Sequence, residues 1–357
     1  MKRRLADLAA IALLLSASLP AVPDASAQDT PPAAAAGPDS PASQSDEAGA
    51  ADPSEPGAAT GAETEPAAGG EDAEPSANAG PSKADMAYGA FQRGFYLRAR
   101  QLAEPIAKLG DPAAQTLLAE LYDRGLGVRQ NEEEAARWYE AAAEGGNPAA
   151  QFRFALMLLD GRAVDKDPER ARVLMKQAAD AGDPLAQFNY GQMLVQASPS
   201  GGFADAMPYF RSAARAGVPD AQYALAEMLA NGKGIEGTDE RAARRWLRAA
   251  AAGGYDTAQV EIGIWLINGR GGPADPEEGF LWLKRAAEGG NPIAFNRVAH
   301  LYKDGIGVAP DKMQAAKWAV LAKRAANTDP ELDDFFRGLD EGLQRQALEA
   351  ANRFRSG

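Results

Sequence analysis

One short phrase returns six times along the chain. LGDPAAQ ends at Gln115, GGNPAAQ at Gln151, AGDPLAQ at Gln187, AGVPDAQ at Gln222, GGYDTAQ at Gln259 and GGNPIAF at Phe295, at spacings of 36, 36, 35, 37 and 36 residues. A second series keeps the same beat: Trp138, Leu174, Tyr209, Trp246, Trp282 and Trp318, each followed four residues later by alanine. Eight residues after each stands a glycine, from Gly146 to Gly290, until Ala326 breaks the series. Self-similarity at this period excludes most folds at once. Each copy is one small supersecondary unit that cannot bury its apolar face alone, so neighbours must stack into a one-dimensional array.

Within a copy the apolar positions have helical spacing. The residue before each anchor is alanine (Ala114, Ala150, Ala186, Ala221, Ala258, Ala294), four after it is Ala or Gly, and seven after it is Tyr or Leu. These positions share one broad face at 3.6 residues per turn, and the small ones let another helix approach closely. A second helix opens on Asn131-Glu132-Glu133-Glu134, Asp167-Pro168-Glu169 and Asp275-Pro276-Glu277-Glu278. Such starts combine a capping side chain, a proline suited to the first helical position and acids at the positive end of the helix dipole. The glycine beyond each alanine pair is a left-handed stop. Residues 87–110 read as a shorter hairpin whose second helix is kinked at Pro105, and 330–354 as one or two capping helices. The expected fold is all-α: a right-handed α/α superhelical solenoid of about seven helical hairpins with a C-terminal helical cap.

One stretch competes with this reading. GKGIEG, Gly232 to Gly237, matches the G-x-G-x-x-G fingerprint of dinucleotide-binding loops. Such a loop follows a β-strand, whereas this one follows the helical ALAEMLA. Gly232 and Gly234 are in register with Gly125 and Gly127, Gly269 and Gly271, and Gly305 and Gly307, which places them in the turn of a hairpin. Gly237 has no counterpart and belongs to a one-residue insertion. No cofactor is expected.

The pattern A-Q-x-x-L-A-x-L-Y-x-x-G-x-G-V, then an N-cap, then A-x-x-W-Y-x-x-A-A-x-x-G-[ND]-P, resembles the Sel1-like repeats, relatives of the tetratricopeptide repeats with a longer turn between helices. The resemblance spans 110–327, and 84–109 in a looser form. The third copy departs most, with SPSGGFAD in place of the glycine turn. The resemblance implies a scaffold or adaptor that binds other proteins. Exported bacterial members are associated with envelope signalling, polysaccharide export and cell-wall enzymes, so the chain is expected to regulate such a system. A glycan- or peptidoglycan-associated binding module is the alternative.

The N-terminus differs in kind from the repeats. Lys2, Arg3 and Arg4, an apolar run from Leu8 to Leu19 and Ala25-Ser26-Ala27 have the layout of a secretory signal peptide over 1–27. The run is too short to span a bilayer, so the expected location is the periplasm, with no stable membrane span after cleavage. Residues 28–83 form an Ala/Pro-rich acidic linker, expected to be disordered for want of apolar residues. The solenoid then occupies 84–357, with copies near 112–147, 148–183, 184–218, 219–255, 256–291 and 292–327, a hairpin at 84–110 and a cap at 328–357. Of 50 acids 13 precede Lys83, and of 37 Lys and Arg only 3 do, so the repeats carry −3 of the chain's −13. A nearly balanced folded part shows no general drive toward nucleic acid.

The sequence offers little chemistry. With no cysteine and one histidine, His300, neither a thiolate site, a Ser-His-Asp triad nor a His-His zinc site is available within the chain. No catalytic, cofactor-binding or metal-binding residue is assigned. The acidic runs 132–134 and 165–167 are explained by capping, and the tryptophans, in register with alanines, by hairpin cores. A partner protein or peptide is expected on the first helices. Positions one, five and eight after each anchor share a face and vary between copies, apolar in the middle and polar at both ends. Phe152, Leu156, Phe188, Tyr223, Ile264 and His300 represent this candidate groove. Burial of the same side chains as extra core is the competing expectation.

Overall fold

The computed structural model describes residues 82–198 and 202–355. The expected signal peptide, the acidic segment as far as Pro81, and residues 199–201 of the third turn lie outside the described residues.

The described residues form sixteen helices and no strand. Seven antiparallel hairpins follow one another. They are α1 (Lys83–Gln92) with α2 (Tyr96–Ala107), α3 (Pro112–Arg124) with α4 (Glu132–Glu144), and α5 (Pro148–Asp160) with α6 (Pro168–Asp180). Next come α7 (Pro184–Ala197) with α8 (Gly202–Arg215), α9 (Pro219–Asn231) with α10 (Glu240–Ala252), α11 (Asp256–Asn268) with α12 (Pro276–Glu288), and α13 (Pro292–Asp304) with α14 (Lys312–Arg324). Two final helices, α15 (Pro330–Arg337) and α16 (Glu341–Arg353), pack on α14. Each helix touches mainly its hairpin partner and the next helix in sequence, the contact pattern of an all-α solenoid. α2 runs through Pro105, near its C-terminal end, as one helix.

Local chemistry explains the element ends. The side chains of Asp111, Asn147, Asp183 and Asn291 accept the N–H of Ala114, Ala150, Ala186 and Ala294, and proline follows each cap. Asn131, Asp167, Asp239, Asp275 and Asp311 do the same for second helices. Phe95, Val218 and Tyr255 occupy cap positions without a side-chain bond. Second helices stop with a bond from the residue after the left-handed position back to the repeated alanine, as in Asn147 N–H to the Ala142 carbonyl at 3.0 Å. Ala326, where glycine is missing, keeps the same left-handed backbone at φ 60°.

The glutamine anchor welds one hairpin to the next. Gln115 Nε2 donates to the carbonyl of Ala107 at 3.1 Å, Gln151 to Ala143 at 3.3 Å, Gln187 to Ala179 at 3.2 Å, Gln222 to Ala214 at 3.1 Å and Gln259 to Ala251 at 3.2 Å. Each adds a second bond to a carbonyl at the end of the preceding second helix that already accepts the N–H of the turn glycine, as in Gly146 to Ala143 at 3.0 Å. In the last copy Phe295 replaces the amide with a ring lying 5.7 Å from both Trp318 and Phe354.

The GKGIEG stretch joins α9 to α10. Gly232 is the left-handed cap of α9 (φ 65°). Gly234 (φ 75°) passes so close to α8 that a side-chain carbon there would lie 2.7 Å from the Phe203 backbone. A Cβ on Gly237 would meet nothing within 4 Å. Close packing on the preceding hairpin accounts for the second glycine.

Candidate partner-binding face

The first helices α3, α5, α7, α9, α11 and α13 follow one another in the stack, so their equivalent positions form rows. Ala155, Phe154 and Leu225 are buried inside the hairpins, along with Ala226, Ile262 and Val298. The positions singled out from sequence divide according to their place in the repeat. One residue after the anchor, Phe152 is 6% exposed, Phe188 8% and Tyr223 4%; all three belong to the buried clusters. The Phe188 ring sits 5.8 Å from Phe210, within its own hairpin, and Tyr223 stacks on Tyr255 at 4.7 Å. Five residues after the anchor, Leu156, Gln192, Glu227, Ile264 and His300 are half-buried. Leu156 and Ile264 lean on the edges of core clusters. The row at position five, with Leu159 and Ile267 at position eight, is therefore the accessible apolar part of this face, while the aromatic row lies beneath it.

Two polar clusters interrupt the row. Between α9 and α11 the Tyr223 hydroxyl donates to Glu261 Oε1 at 2.9 Å, and Asn231 Nδ2 donates to Glu227 Oε2 at 3.3 Å. Burial, then the neighbouring Glu227 carboxylate, pushes Glu261 up to about 7 against the pull of Arg270. Burial raises Glu227 too, although Lys233 and Arg270 oppose it. Tyr223 is likewise raised, first by burial and then by the two carboxylates. The arrangement sets two carboxylates on adjacent first helices against each other and holds both above the usual carboxylate range.

At the C-terminal end His300 Nε2 lies 2.9 Å from Asp329 Oδ2, which also accepts from Asn296 Nδ2 at 2.8 Å. Burial alone would raise the Asp329 carboxyl. Hydrogen bonds from His300, Asn296 and the Leu332 backbone outweigh it and bring the pKa down to about 2. Asp329 also caps α15. His300 thus joins the last hairpin to the cap. A third polar tie, Arg162 to Asp123 at 2.9 Å, runs from the turn after α5 back to the last turn of α3.

Sequence reasoning missed Glu261 and Asp329. Glu261 had a signal: it is the lone acid inside the apolar run VEIGIWLI. The tryptophans pack as hairpin core, with Trp318 fully buried and Trp138, Trp246 and Trp282 half-buried against core clusters. Among the described residues no group of three His, Cys, Asp or Glu side chains is placed to hold a metal ion. No helix among them is long and apolar enough to cross a membrane.

Comparison with known proteins now names the repeat. The Sel1 repeat matches residues 112–147, 148–183, 219–255, 257–291 and 292–327, half of the chain. The chain belongs to the Sel1 repeat family. Its third copy, the one with the altered turn, lies between the matched Sel1 repeats. Among solved structures it is similar to a Sel1 repeat protein from Oxalobacter formigenes, with 26% identity, a TM-score of 0.57, and coverage of 68% of this chain and 97% of that one. It is also similar to c5321, a protective antigen of uropathogenic Escherichia coli with an SLR fold: 26% identity, TM-score 0.50, covering 76% of this chain and 68% of that one. No curated protein matches. Sel1 repeat proteins generally act as protein-interaction scaffolds and are typically non-catalytic.

Proposed function

We propose that this Sel1 repeat chain is an exported, non-catalytic scaffold that holds a partner protein along the position-five row of its first helices, within an envelope signalling or cell-wall system. The observation that carries the reading is the contrast between rows. The anchor row and the aromatic row are consumed by packing, while Leu156, Gln192, Glu227 and Ile264 stay half-exposed and differ from copy to copy. A repeated core with a varying rim is how a stacked array reads an extended partner without changing its own fold. Export rests on the basic, apolar and small-residue order of residues 2–27.

Crosslinking in intact cells followed by mass spectrometry tests the proposal, comparing wild type with a Leu156→Glu/Ile264→Glu variant. A partner crosslinked to wild type and lost from the variant, with unchanged thermal unfolding, supports it. Enrichment of the protein on purified cell-wall glycan, unaffected by the variant, would replace the protein partner by the glycan reading.

A further inference from the structure

A different surface stands out on the second helices. Outward cations on α4 and α6 are all paired with carboxylates: Arg137 with Glu134, Arg170 with Glu140 and Glu144, Arg172 with Glu169, Lys176 with Asp180. On α12, Lys284 has Glu288, and Arg285 lies over the Trp282 ring. The neighbouring α8 and α10 break this balance. Arg211, Arg215, Arg241 and Arg245 are exposed, and none of them is in an ion pair among the described residues. Arg211 and Arg215 lie one turn apart on the side of α8 away from the buried Ala206, Phe210 and Ala213. Arg241 and Arg245 lie likewise on α10, away from the buried Ala243, Leu247 and Ala250. The acids of these two helices are Asp205, six residues before Arg211, and Glu240, which is held by Arg270 at 2.9 Å.

The register of the stack brings the four arginines together. Glu140 of α4 meets Arg170 of α6 at 2.8 Å, and Arg248 of α10 meets Glu278 of α12 at 2.6 Å. In both pairs, the residue two after one aromatic or leucine anchor faces the residue four before the next. At the α8–α10 junction those positions are Arg211 and Ala242. An ion pair is thus replaced by arginine against alanine, with Arg241 and Arg245 on either side. Contact between the Gly234 turn and Phe203 places the N-terminal end of α8 against the α9–α10 connection, so the two second helices lie side by side. Like charges one turn apart on a helix are mildly destabilising, so the arginine pairs do not stabilise their own helices.

We propose that the α8–α10 arginine face is a second docking surface, separate from the first-helix row, and that its occupant is an acidic polypeptide segment. Charge complementarity requires an anionic partner, and guanidinium forks suit paired carboxylates. Two neighbouring features narrow the class. Tyr209 and Trp246 beside the patch are half-buried, and the Tyr209 hydroxyl is bonded to Asp180 at 2.9 Å, so no open ring offers bases a stacking platform. No large apolar side chain of α8 or α10 is exposed to enter a lipid surface.

The test uses the full chain and a fluorescent 20-residue peptide of alternating Glu and Ala, followed by anisotropy at 50 and 200 mM salt. The variant is Arg211→Gln/Arg215→Gln/Arg241→Gln/Arg245→Gln, checked by circular dichroism. A control removes four other cations: Lys312→Gln/Lys323→Gln/Arg345→Gln/Arg355→Gln. The expected result is binding weakened at least about tenfold by the first set, unchanged by the second, and steeply reduced by salt. Equal losses from both sets would overturn the proposal by reducing it to net charge. Tighter binding of duplex DNA, heparin or vesicles of anionic phospholipid, lost in the arginine variant, would transfer the face to that class. Self-association of the chain in sedimentation, abolished by the arginine variant, would make a second copy the occupant.

Discussion

Replacing Phe188 by alanine separates a packing role from a binding role most sharply. The ring is 8% exposed and contacts Phe210 at a centroid distance of 5.8 Å. Burying an aromatic side chain removes about 150–250 Å² from water. At about 25 cal/mol per Å², losing most of that area costs about 2–3 kcal/mol. The cavity left behind and the lost ring pair bring the total to about 3–5 kcal/mol. The surroundings cannot collapse freely, because α7 and α8 are already in close contact: a side-chain carbon at Gly191 would lie 2.9 Å from the Phe210 ring. In a folded region of this size each kcal/mol shifts the midpoint by about 2–4 °C. Thermal unfolding by circular dichroism should therefore fall by about 10 °C, and Phe188→Leu, which keeps most of the buried area, should fall much less. A second transition is a further expected sign, since weakening one central copy uncouples the two flanks of a linear array. A fall below about 1 kcal/mol, accompanied by loss of a cellular partner, would refute the reasoning and make Phe188 a binding residue.

Other outcomes follow from the polar clusters and the turns. The folded pKa of Glu261 lies above its ordinary 4.5, at about 7, so its stabilising contribution is present at acid pH and is lost as pH rises through 7. Calorimetry should show a higher melting temperature at pH 5 than at pH 8, and Glu261→Gln should flatten the difference by on the order of 2 kcal/mol. Asp329 has the opposite sign. Its pKa is lowered from 3.8 to about 2, so its contribution holds above pH 4 and disappears as pH falls through 2. His300→Ala should weaken docking of α15 and α16, seen as faster amide exchange over 329–353 with the repeats themselves little changed. Ala326→Gly should stabilise by about 0.5–1 kcal/mol, because alanine at φ 60° is strained and glycine is not; urea unfolding measures it.

The period, the helices and their ends were legible in the chain because their causes are local. Caps such as Asp111 and Asn131 act within three residues, Gly232 and Gly254 terminate the helix they follow, and the alanines of each copy recur at helical spacing. The glutamine row was visible as a pattern, yet its purpose was not, since the carbonyl it bonds belongs to the preceding helix. The candidate face was read as one surface and turned out to be two rows. Phe152, Phe188 and Tyr223 sit on the same side as Leu156 and Ile264, but packing within and between the hairpins covers the first three and leaves the others at the rim. Glu261 acquires its raised pKa from burial and from Glu227, which stands 34 residues away in sequence on the preceding first helix, and the Tyr223 hydroxyl, 38 residues away, pulls against it. The unpaired arginines follow the same rule. Each was plain in the sequence, and whether it met a carboxylate or an alanine depended on the register of two helices joined through a third.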